Sequence, residues 1–334
     1  MNRFLTLRDL STMKIERLVA RARHIEHWSM AHSLIGKVVT LLFLEPSHRT
    51  LASFQAGIAQ LGGASIVLSS GQGKWGIETR DGPSKDGDPE EHIRDTIPVL
   101  EEYGDALGVR CGSRGSSLAD DLAEPWLGVI DSLARKPLIN LGSAMDHPCQ
   151  ALADWKTLDD EEIPRDGKFV LSWAWHPRPQ PLALPATAAA MAARRGMKVT
   201  VLRPEGFGFP AELRSRIIAE AKRGGGTFEE TDDRVGALAG ARVVYAESWG
   251  APATIHSPAR DSNLRAPQRA WRIEPSWLES TEDAIVMHCL PARREIQIAE
   301  TVLDGPRSRA TRQAVNRLHV QKAVLLAMLG SDMV

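Results

Sequence analysis

Short apolar runs alternate with longer stretches of helical character along both halves of the chain. Residues 38–44 are apolar at six of seven positions and are followed by Glu45-Pro46, a pattern that predicts a buried strand. Further strands are predicted at 64–69, 106–110, 137–141, 168–173, 198–202, 242–245 and 284–287. Helices are predicted at 50–61, 89–103, 148–158, an alanine-rich stretch that ends near 195, 210–222 and 315–329. The helix at 89–103 is placed there because Pro and acidic side chains favour a helix N-terminus.

This alternation predicts an α/β protein with two domains. Strands that alternate with helices form mostly parallel sheets with helices on both faces, which is the doubly wound arrangement. A length of 334 residues agrees with about two domains. Such sheets bind ligands at the carboxyl ends of their strands. The residues that directly follow the predicted strands are therefore the first candidates for function.

Charge balance and cysteine usage narrow the function further. Lys plus Arg total 41 and Asp plus Glu total 42, for a formal net charge of −1. A nucleic-acid or membrane-surface partner needs a positive excess, so neither is expected. Three scattered cysteines and no HExxH argue against a disulfide scaffold or a structural zinc site, and no metal or other cofactor is expected. No apolar run is long enough to span a bilayer and residues 1–10 lack a signal-peptide core, which predicts a cytoplasmic protein.

Residues 45–50 follow the first long predicted strand and precede a helix. Ser47, Arg49 and Thr50 offer two hydroxyls and a guanidinium beside the free N–H groups of a helix N-terminus, which suits a phosphate dianion. The alternative is that a hydroxyl simply caps the helix, as Ser and Thr often do. The segment is neither a Walker loop nor a dinucleotide fingerprint.

Two further segments follow strands and offer groups for an anion or a carbonyl. Arg110 ends the strand at 106–110, where it could clamp an anion or be an ordinary surface cation. His147 and Gln150 lie three residues apart at a predicted helix start, so both side chains can point into one cleft and polarise a carbonyl oxygen. The alternative for this pair is a capping arrangement with a buried Cys149.

The segment His288-Cys289-Leu290-Pro291 follows the last predicted strand. A backbone carbonyl or the thiol here could hold an attacking amine. A Cys-His protease dyad is a poor interpretation, because adjacent residues of a strand point to opposite faces. Arg317 lies at the start of the last predicted helix, and by itself it is typical of a solvated basic patch.

Taken in order, these segments resemble the aspartate/ornithine carbamoyltransferase superfamily. The motifs SxRT, GVR, HPxQ, HCLP and a late Arg follow one another, and the resemblance spans about residues 37–329. The chain is most similar to the branch that acts on N-acylated ornithine, the N-acetylornithine and N-succinylornithine carbamoyltransferases. The segments that carry this similarity are Gly73-Lys74-Trp75, Asp86-Gly87-Asp88, Glu90-Glu91-His92, Trp175-His176-Pro177-Arg178-Pro179, Ser248-Trp249-Gly250 and residues 316–322.

The resemblance implies a fold and an assembly. Two α/β domains would be joined by two interdomain helices, and three chains would form a homotrimer. Residues 1–143 would bind carbamoyl phosphate, residues 144–314 would bind the acylornithine, and residues 315–334 would form a helix that packs back on the first domain. In this branch the chain is also knotted, with the loop near 176–185 around a threaded segment, against the usual rule for protein chains.

The resemblance also assigns roles to residues. The residues implied to hold carbamoyl phosphate are Ser47, His48, Arg49, Thr50, Trp75 of a neighbouring subunit, Arg110, His147, Gln150, Cys289, Leu290 and Arg317. The expected catalytic residues among these are Arg110, His147, Gln150 and Cys289. The residues implied to contact the acceptor are Glu90, His176, Glu247 and Leu290. A neutral amine would attack a carbonyl whose leaving group is phosphate, which calls for cations at the phosphate and donors at the carbonyl oxygen but for no metal.

Four positions depart from the branch. Glu247 stands where the branch has a Lys that holds the acceptor's carboxylate, and Gly142 stands where it has a Glu. Leu51 replaces the second Arg of SxRTR, which removes one charge near the phosphate. Gln297 replaces a Lys that can be carboxylated in the acetylornithine enzymes, so that modification is not expected here.

The identity of the acceptor depends on few residues. Glu90 matches a position where acetylornithine enzymes carry Glu and succinylornithine enzymes carry Pro, and a carboxylate there repels a succinyl carboxylate. N-acetyl-L-ornithine is therefore the expected acceptor, with N-acetyl-L-citrulline and phosphate as products, in arginine biosynthesis. A shift of one residue would place Pro89 at that position and favour N-succinylornithine, and Glu247 favours ornithine or a diamine. A non-catalytic phosphate-binding homologue is a further alternative, against which the complete set of carbonyl-polarising residues argues.

Overall fold

A computed structural model describes residues 1–69, 76–79, 86–87, 89–113 and 116–330. The strands are β1 (Arg3–Phe4), β2 (Val38–Phe43), β3 (Ala64–Ser69), β4 (Ile77–Glu78), β5 (Glu91–His92), β6 (Ala106–Gly112), β7 (Leu138–Ser143), β8 (Lys168–Trp173), β9 (Lys198–Leu202), β10 (Thr227–Thr231), β11 (Ala241–Glu247) and β12 (Ile285–Met287). The helices are α1 (Thr12–His27), α2 (His48–Gln60), α3 (Ile93–Tyr103), α4 (Leu118–Ala123), α5 (Pro125–Leu133), α6 (Pro148–Asp160), α7 (Ala183–Arg195), α8 (Ala211–Gly224), α9 (Arg234–Leu238), α10 (Pro258–Arg265), α11 (Glu300–Leu303) and α12 (Ala310–Leu329).

The first sheet has five strands in the order β1-β7-β6-β2-β3, and every neighbouring pair is parallel. β2 and β7 are buried over nearly their whole length, as expected for strands that helices cover on both faces. Because β2, β6 and β7 run in one direction, the segments that follow them lie at one edge of the sheet. This edge holds most of the predicted phosphate and carbamoyl residues.

The second sheet has the order β10-β9-β8-β11-β12 and is also parallel throughout. β8 and β11 lie at its centre and are buried, whereas β10 is a half-exposed edge strand. Strands β4 and β5 pair with each other in parallel and form a separate two-stranded sheet. The two parallel-sheet α/β domains predicted from the alternation of strands and helices are confirmed.

Helices α6 and α12 connect the two sheets. α6 begins directly after β7 and leads into the second sheet, and α12 returns to pack against α1, α2 and α6. Most of the second half of α12 is buried, including Val320, Val324 and Leu325. The domain boundaries at 143/144 and 314/315, and the knot, stay predictions.

Two predicted helix starts are wrong. α3 begins at Ile93 rather than at residue 89, because the preceding residues pair with β4 as strand β5. The Nδ1 of His92 accepts a hydrogen bond from the Arg94 N–H at 3.3 Å, so His92 is the N-cap instead of Pro89. α12 begins at Ala310 rather than at residue 315. The pattern of apolar and polar positions also did not predict helix α1 or the polar edge strand β10.

Two absences hold for the described part of the chain. None of its helices combines the length and the apolar character that a membrane span requires. It also contains no group of three or more His, Cys, Asp or Glu side chains placed to hold a metal ion.

Candidate active site

The segment between β2 and α2 forms one wall of the candidate site. Ser47 is the N-cap of α2, but its side chain makes no capping hydrogen bond. Instead, the Ser47 hydroxyl donates to the Thr50 Oγ1 at 2.9 Å. The first N–H groups of α2 therefore remain available for an anion, as the phosphate hypothesis requires. The simple capping alternative is not what the structure contains. His48 and Arg49, in the first turn of α2, are exposed.

Two side chains tie this wall to distant parts of the sequence. The buried Arg317 of α12 donates from Nη2 to the Thr50 Oγ1 at 2.7 Å. Arg49 donates to the backbone carbonyl of Leu290, in the segment after β12. Arg317 is thus a buried component of the site rather than part of a solvated basic patch.

A depression of about 180 Å³ lies where these segments meet, and we call it the cleft. Its lining residues are Arg49, Gln150, His288, Cys289, Leu290, Gln313, Ala314 and Arg317. The lining comes from α2, α6, α12 and the segment after β12, so residues far apart in sequence converge there.

Arg110 lies near the end of β6 and is partly buried. Its Nη2 donates to the Glu45 Oε2 at 3.2 Å and its Nη1 donates to the Leu141 carbonyl at 3.3 Å. Its Nε is buried without a hydrogen-bond partner among the described residues. Arg110 is therefore held at the sheet edge with donor capacity to spare, and Glu45 supplies its counter-charge.

Gly142 gives Arg110 the space it needs. Gly142 has a φ of +137°, and a Cβ built on it would lie 2.3 Å from the Arg110 Nη1. The backbone conformation thus favours glycine, and a side chain at this position would require the Arg110 guanidinium to move.

His147 is a buried, neutral imidazole. Burial lowers its pKa well below the usual range, and the positive charges of Arg317, Arg110 and Arg49 lower it further. Its Nδ1 has no hydrogen-bond partner within the described part of the chain, while its backbone N–H donates to the Thr187 Oγ1 at 3.2 Å. All three arginines therefore lie near this ring, which can offer a hydrogen bond to a carbonyl oxygen without carrying charge.

Gln150 is oriented by a buried carboxylate. Its Nε2 donates to the Asp154 Oδ1 at 2.8 Å, and Gln313 and Tyr245 also donate to Asp154, at 2.6 and 3.1 Å. Burial raises the pKa of Asp154 to about 7 against the opposing effect of these donors. The Gln150 Oε1 is left buried and without a partner among the described residues. We expected Gln150 to donate to a carbonyl oxygen, but here its free atom is an acceptor, which suits a carbamoyl NH₂ group.

The two residues after β12 differ in role. The His288 Nδ1 lies 2.6 Å from the Ala246 carbonyl, so this ring packs inward. Burial raises the pKa of the half-buried Cys289 to about 12, and the charge of Glu247 adds to the effect. A thiol that stays protonated and a histidine bound to a carbonyl do not form a nucleophilic dyad. The protease interpretation is excluded by these contacts.

Of the expected acceptor residues, only Glu247 offers a free buried group. It ends β11 and is buried, with one oxygen bound to the Ser248 N–H at 3.0 Å and the Oε2 lacking a partner in the described structure. Burial raises its pKa. His176 is also buried, but its Nε2 accepts from the Arg293 Nε at 2.9 Å and its Nδ1 lies 2.7 Å from the Arg178 carbonyl. Glu90 is exposed, and Trp75 lies outside the described residues.

Sequence patterns missed three residues that support the site: Glu45, Asp154 and Gln313. Asp154 is four residues after Gln150 and therefore shares a helix face with it, a signal that was present in the predicted helix at 148–158. Gln313 lay outside the predicted last helix, which in fact begins earlier. The role of Glu45 depends on the position of Arg110 across the sheet, which no local pattern encodes.

The site combines three guanidinium groups, a neutral imidazole, an amide oxygen and a backbone carbonyl. Arginines suit a phosphate leaving group, and a neutral donor beside them suits a carbonyl oxygen that gains negative charge. The carbonyl of Leu290 can accept a hydrogen bond from an amine. This arrangement matches group transfer from a small acyl or carbamoyl phosphate to an amine.

Comparison with known proteins agrees with the geometry. The model for the carbamoyl-P binding domain of aspartate/ornithine carbamoyltransferase matches residues 2–160, and the model for its Asp/Orn binding domain matches residues 186–328. The N-acetylornithine carbamoyltransferase of Xylella fastidiosa is 35% identical over 332 residues, which cover 97% of this chain and 98% of that protein. The N-succinylornithine carbamoyltransferase of Bacteroides thetaiotaomicron is 29% identical over 331 residues, with 98% of both chains covered.

A solved structure shares the fold along the whole chain. The crystal structure of acetylornithine transcarbamylase complexed with acetylcitrulline has a TM-score of 0.94 and 33% sequence identity, and the match covers 99% of this chain and 100% of that one. The similarity thus extends over both sheets and the helices between them.

Proposed function

Since the chain belongs to the aspartate/ornithine carbamoyltransferase family, we propose that it transfers the carbamoyl group of carbamoyl phosphate to the side-chain amine of N-acetyl-L-ornithine. The products are N-acetyl-L-citrulline and phosphate, as a step of arginine biosynthesis. The observation that carries this proposal is that Arg49, Gln150 and Arg317, from three distant segments, line one cleft, while Arg110 and His147 both lie beside Gly142. The similarity to enzymes named for N-acetylornithine supports the choice of acceptor.

The chemistry follows from the groups in the cleft. The amine nitrogen attacks the carbamoyl carbon, and the bond between this carbon and the phosphate oxygen breaks. Arg49, Arg317 and the first N–H groups of α2 stabilise the leaving phosphate, while His147 and Arg110 donate to the carbonyl oxygen. The Gln150 Oε1 accepts from the carbamoyl NH₂. The departing phosphate takes the proton that the amine loses, so no further general base is needed.

The Leu290 carbonyl orients the attacking amine. In the structure Arg49 donates to this carbonyl. The phosphate of carbamoyl phosphate offers Arg49 a stronger, charged partner, and its binding releases the carbonyl for the amine. Holding both reactants in contact supplies a large part of the rate enhancement.

Several further expectations belong to the same proposal. The enzyme acts as a cytoplasmic homotrimer in which Trp75 of a neighbouring subunit contacts the phosphate. Residues 1–143 bind carbamoyl phosphate, residues 144–314 bind the acceptor, and the chain is knotted near 176–185. His176 and Glu90 contribute to the acceptor pocket, and no metal or other cofactor takes part.

A parallel substrate panel tests the acceptor. Phosphate release and the ureido product are measured with carbamoyl phosphate and, in separate reactions, N-acetyl-L-ornithine, N-succinyl-L-ornithine and L-ornithine. We expect clear turnover with the acetylated compound and little with the other two. Turnover with L-ornithine alone would overturn the acceptor assignment but not the carbamoyl transfer.

Glu247 supports a second candidate, an acceptor that carries an additional positive charge. Its Oε2 is buried and has no partner in the described structure, and its charge acts on Cys289 at the cleft. An ammonium group of ornithine or of a diamine would compensate this carboxylate, whereas the free carboxylate of an acylated ornithine would not. The variants Glu247→Lys and Glu247→Gln separate the candidates. A charge-selecting Glu247 predicts that both variants lose activity with cationic acceptors and that the Lys variant gains activity with N-acetyl-L-ornithine.

A further inference from the structure

A second cavity, partly open to solvent, lies at the junction of the two domains, on the other side of the loop that carries His147. The lining is drawn from the N-terminal segment, the loop after β7, α6, α7 and α8. Its polar lining residues are Thr6, Arg8, Asp146, Thr187, Arg194, Arg216 and Glu220. Its apolar wall includes Ala190, Met191, Leu213 and Ile217. Domain junctions are a common place for small-molecule sites.

Two of the cations in this cavity have spare hydrogen-bond donors. Arg216 donates only to the Leu122 carbonyl, at 3.1 Å, and no carboxylate forms an ion pair with it among the described residues. Arg8 donates from Nε to the Thr6 Oγ1 at 3.1 Å, and its Nη2 lies 3.5 Å from the Asp146 Oδ2. Burial lowers the pKa of Arg216 and the positive charge of Arg8 lowers it further, whereas the charges of Glu124, Asp146 and Glu212 raise it. The two guanidinium groups therefore repel each other across a half-buried space.

The remaining charges of the cavity are already satisfied. Arg194 donates to the Glu220 carboxylate at 2.7 Å, to the Leu10 carbonyl at 2.9 Å and to the Thr12 hydroxyl at 2.8 Å. Glu220 also accepts from Arg223 at 2.7 Å. Asp146 accepts from the Thr6 hydroxyl at 2.6 Å. The capacity that remains belongs to Arg8 and Arg216, and it is capacity to bind an anion.

We propose that this cavity binds a small carboxylate with a short aliphatic chain. The carboxylate lies between Arg8 and Arg216, where it relieves their repulsion and fills their free donors. The aliphatic chain packs on Ala190, Met191 and Leu213. A neutral molecule of the same shape gains only the apolar contacts, so charge is the main determinant of selectivity.

The cavity is coupled to the active site through one peptide. Asp146 lines the cavity and is followed directly by His147, whose imidazole belongs to the active site. The Thr187 Oγ1 accepts from the His147 N–H at 3.2 Å and lies 3.5 Å from the Asp146 Oδ1. A carboxylate that draws Arg8 from Asp146 therefore alters the loop that presents His147. This regulatory step rests on the proposed carbamoyl transfer, whereas occupation of the cavity does not.

Binding is tested with butyrate and its neutral isostere butyramide, by isothermal titration and ligand-observed NMR on the whole protein. We expect saturable butyrate binding, with butyramide weaker by about tenfold. Arg216→Gln removes one donor set and should weaken butyrate binding by a similar factor, while Arg214→Gln, an exposed change on the same helix, should not. Ala190→Leu fills the cavity without changing any charge and should also abolish binding.

The outcomes are decisive in both directions. If butyrate fails to bind, if butyramide binds equally well, or if Arg216→Gln binds like the wild type with an unchanged melting temperature, the carboxylate site does not exist. Should Arg216→Gln unfold, the Ala190→Leu comparison decides alone. For the regulatory step, saturating butyrate should raise the KM for carbamoyl phosphate by about fivefold in the wild type and not in Ala190→Leu. An unchanged KM with proven binding would refute the coupling only, and failure of all carbamoyl transfer would refute the proposed function while the binding result stands.

Discussion

Helix α12 contributes an arginine to each of two regions that treat charge in opposite ways, and α6 contributes polar residues to both. The first, which we call the charged cluster, consists of Glu26, Lys156, Asp160 and Arg312. The fully buried Lys156 places its Nζ 2.5 Å from Glu26 and 2.7 Å from Asp160, and Arg312 contacts the same two carboxylates at 2.6 and 2.9 Å. Each charge in this cluster has an opposite charge beside it.

The second region is the cleft with the neighbouring Arg110 and His147, where positive charge lacks such compensation. Among the described residues Arg317 donates only to the Thr50 hydroxyl. Arg110 has one partly exposed carboxylate beside it, and burial together with the arginine charges keeps His147 neutral. Burial lowers the pKa of Arg317, because surroundings of low dielectric constant disfavour the cation. Helix α12 therefore carries a paired cation, Arg312, between packed helices and an unpaired cation, Arg317, that can attract an anion.

The largest effect should come from one substitution placed in each region of α12. Arg317→Gln removes a cation from the cleft, and we expect kcat/KM to fall by about 10³-fold with little loss of stability. Arg312→Gln removes a cation from the charged cluster, and we expect nearly normal kcat/KM with stability lower by about 2 kcal/mol. Steady-state kinetics and chemical denaturation on both variants measure this contrast. Equal losses of activity in the two variants would contradict the difference in role between the cleft and the charged cluster.

Removal of the buried lysine should give the next largest effect, and on stability alone. Lys156→Met leaves two carboxylates with less compensation, so the free energy of unfolding should fall by about 3 kcal/mol. Activity per folded molecule should remain close to normal, because Lys156 does not line the cleft. A stable but inactive Lys156→Met protein would show that Lys156 acts in the cleft rather than in the charged cluster.

Gly142→Ala tests whether activity depends on the present position of Arg110. The new Cβ would lie 2.3 Å from the Arg110 Nη1, so the guanidinium has to move. We expect a loss of about 30-fold or more in kcat/KM, in line with the displacement of one transition-state donor. The matched control is Gly128→Ala in α5, where a Cβ would meet nothing within 4 Å. Full activity of Gly142→Ala would mean that Arg110 does not need its present position.

The smallest predicted effect is a pH dependence of the charged cluster. Burial alone would raise the pKa of Glu26, but hydrogen bonds from Lys156 and Arg312 outweigh it and lower the pKa from 4.5 to about 2. A lowered pKa in the folded state stabilises the protein above the unfolded value of 4.5, and this contribution is lost as the pH falls from 4.5 towards 2.

Glu26→Gln should therefore destabilise the protein at pH 7 by about 1 to 2 kcal/mol. The difference from the wild type should shrink when denaturation is repeated near pH 3. The control is Glu16→Gln, which removes a partly exposed carboxylate 3.7 Å from Arg165 and should change stability by less than about 0.5 kcal/mol at either pH. A difference for Glu26→Gln that does not change with pH would contradict the pKa shift.

The fold and the site were predictable to different degrees. Buried parallel strands such as 38–43 and 168–173 are mostly apolar runs, so local composition locates them within one or two residues. The segments at 47–50, 110, 147–150 and 289–290 were identified because parallel sheets bring strand ends together. The start of α3 was mispredicted because a short strand pairing, which depends on distant residues, overrode the local helix signal.

The compensation of charge was not predictable from local patterns. Lys156 and Asp160 look like solvated residues of a helix, yet Lys156 is fully buried because Glu26 and Arg312 arrive from other helices. The hydrogen bonds from Arg49 to the Leu290 carbonyl and from Gln313 to Asp154 likewise depend on contacts between distant segments. Local sequence patterns identify the chemical groups of the site, whereas tertiary contacts determine which of those groups remain free to bind a substrate.

The most direct test is isothermal titration with phosphonoacetamide, a stable mimic of carbamoyl phosphate, on the wild type, Arg317→Gln and Arg312→Gln. If the uncompensated cations of the cleft bind the phosphate, the wild type and Arg312→Gln should bind with similar affinity and Arg317→Gln should bind about 100-fold more weakly. Equal affinity for all three proteins would show that the phosphate binds elsewhere.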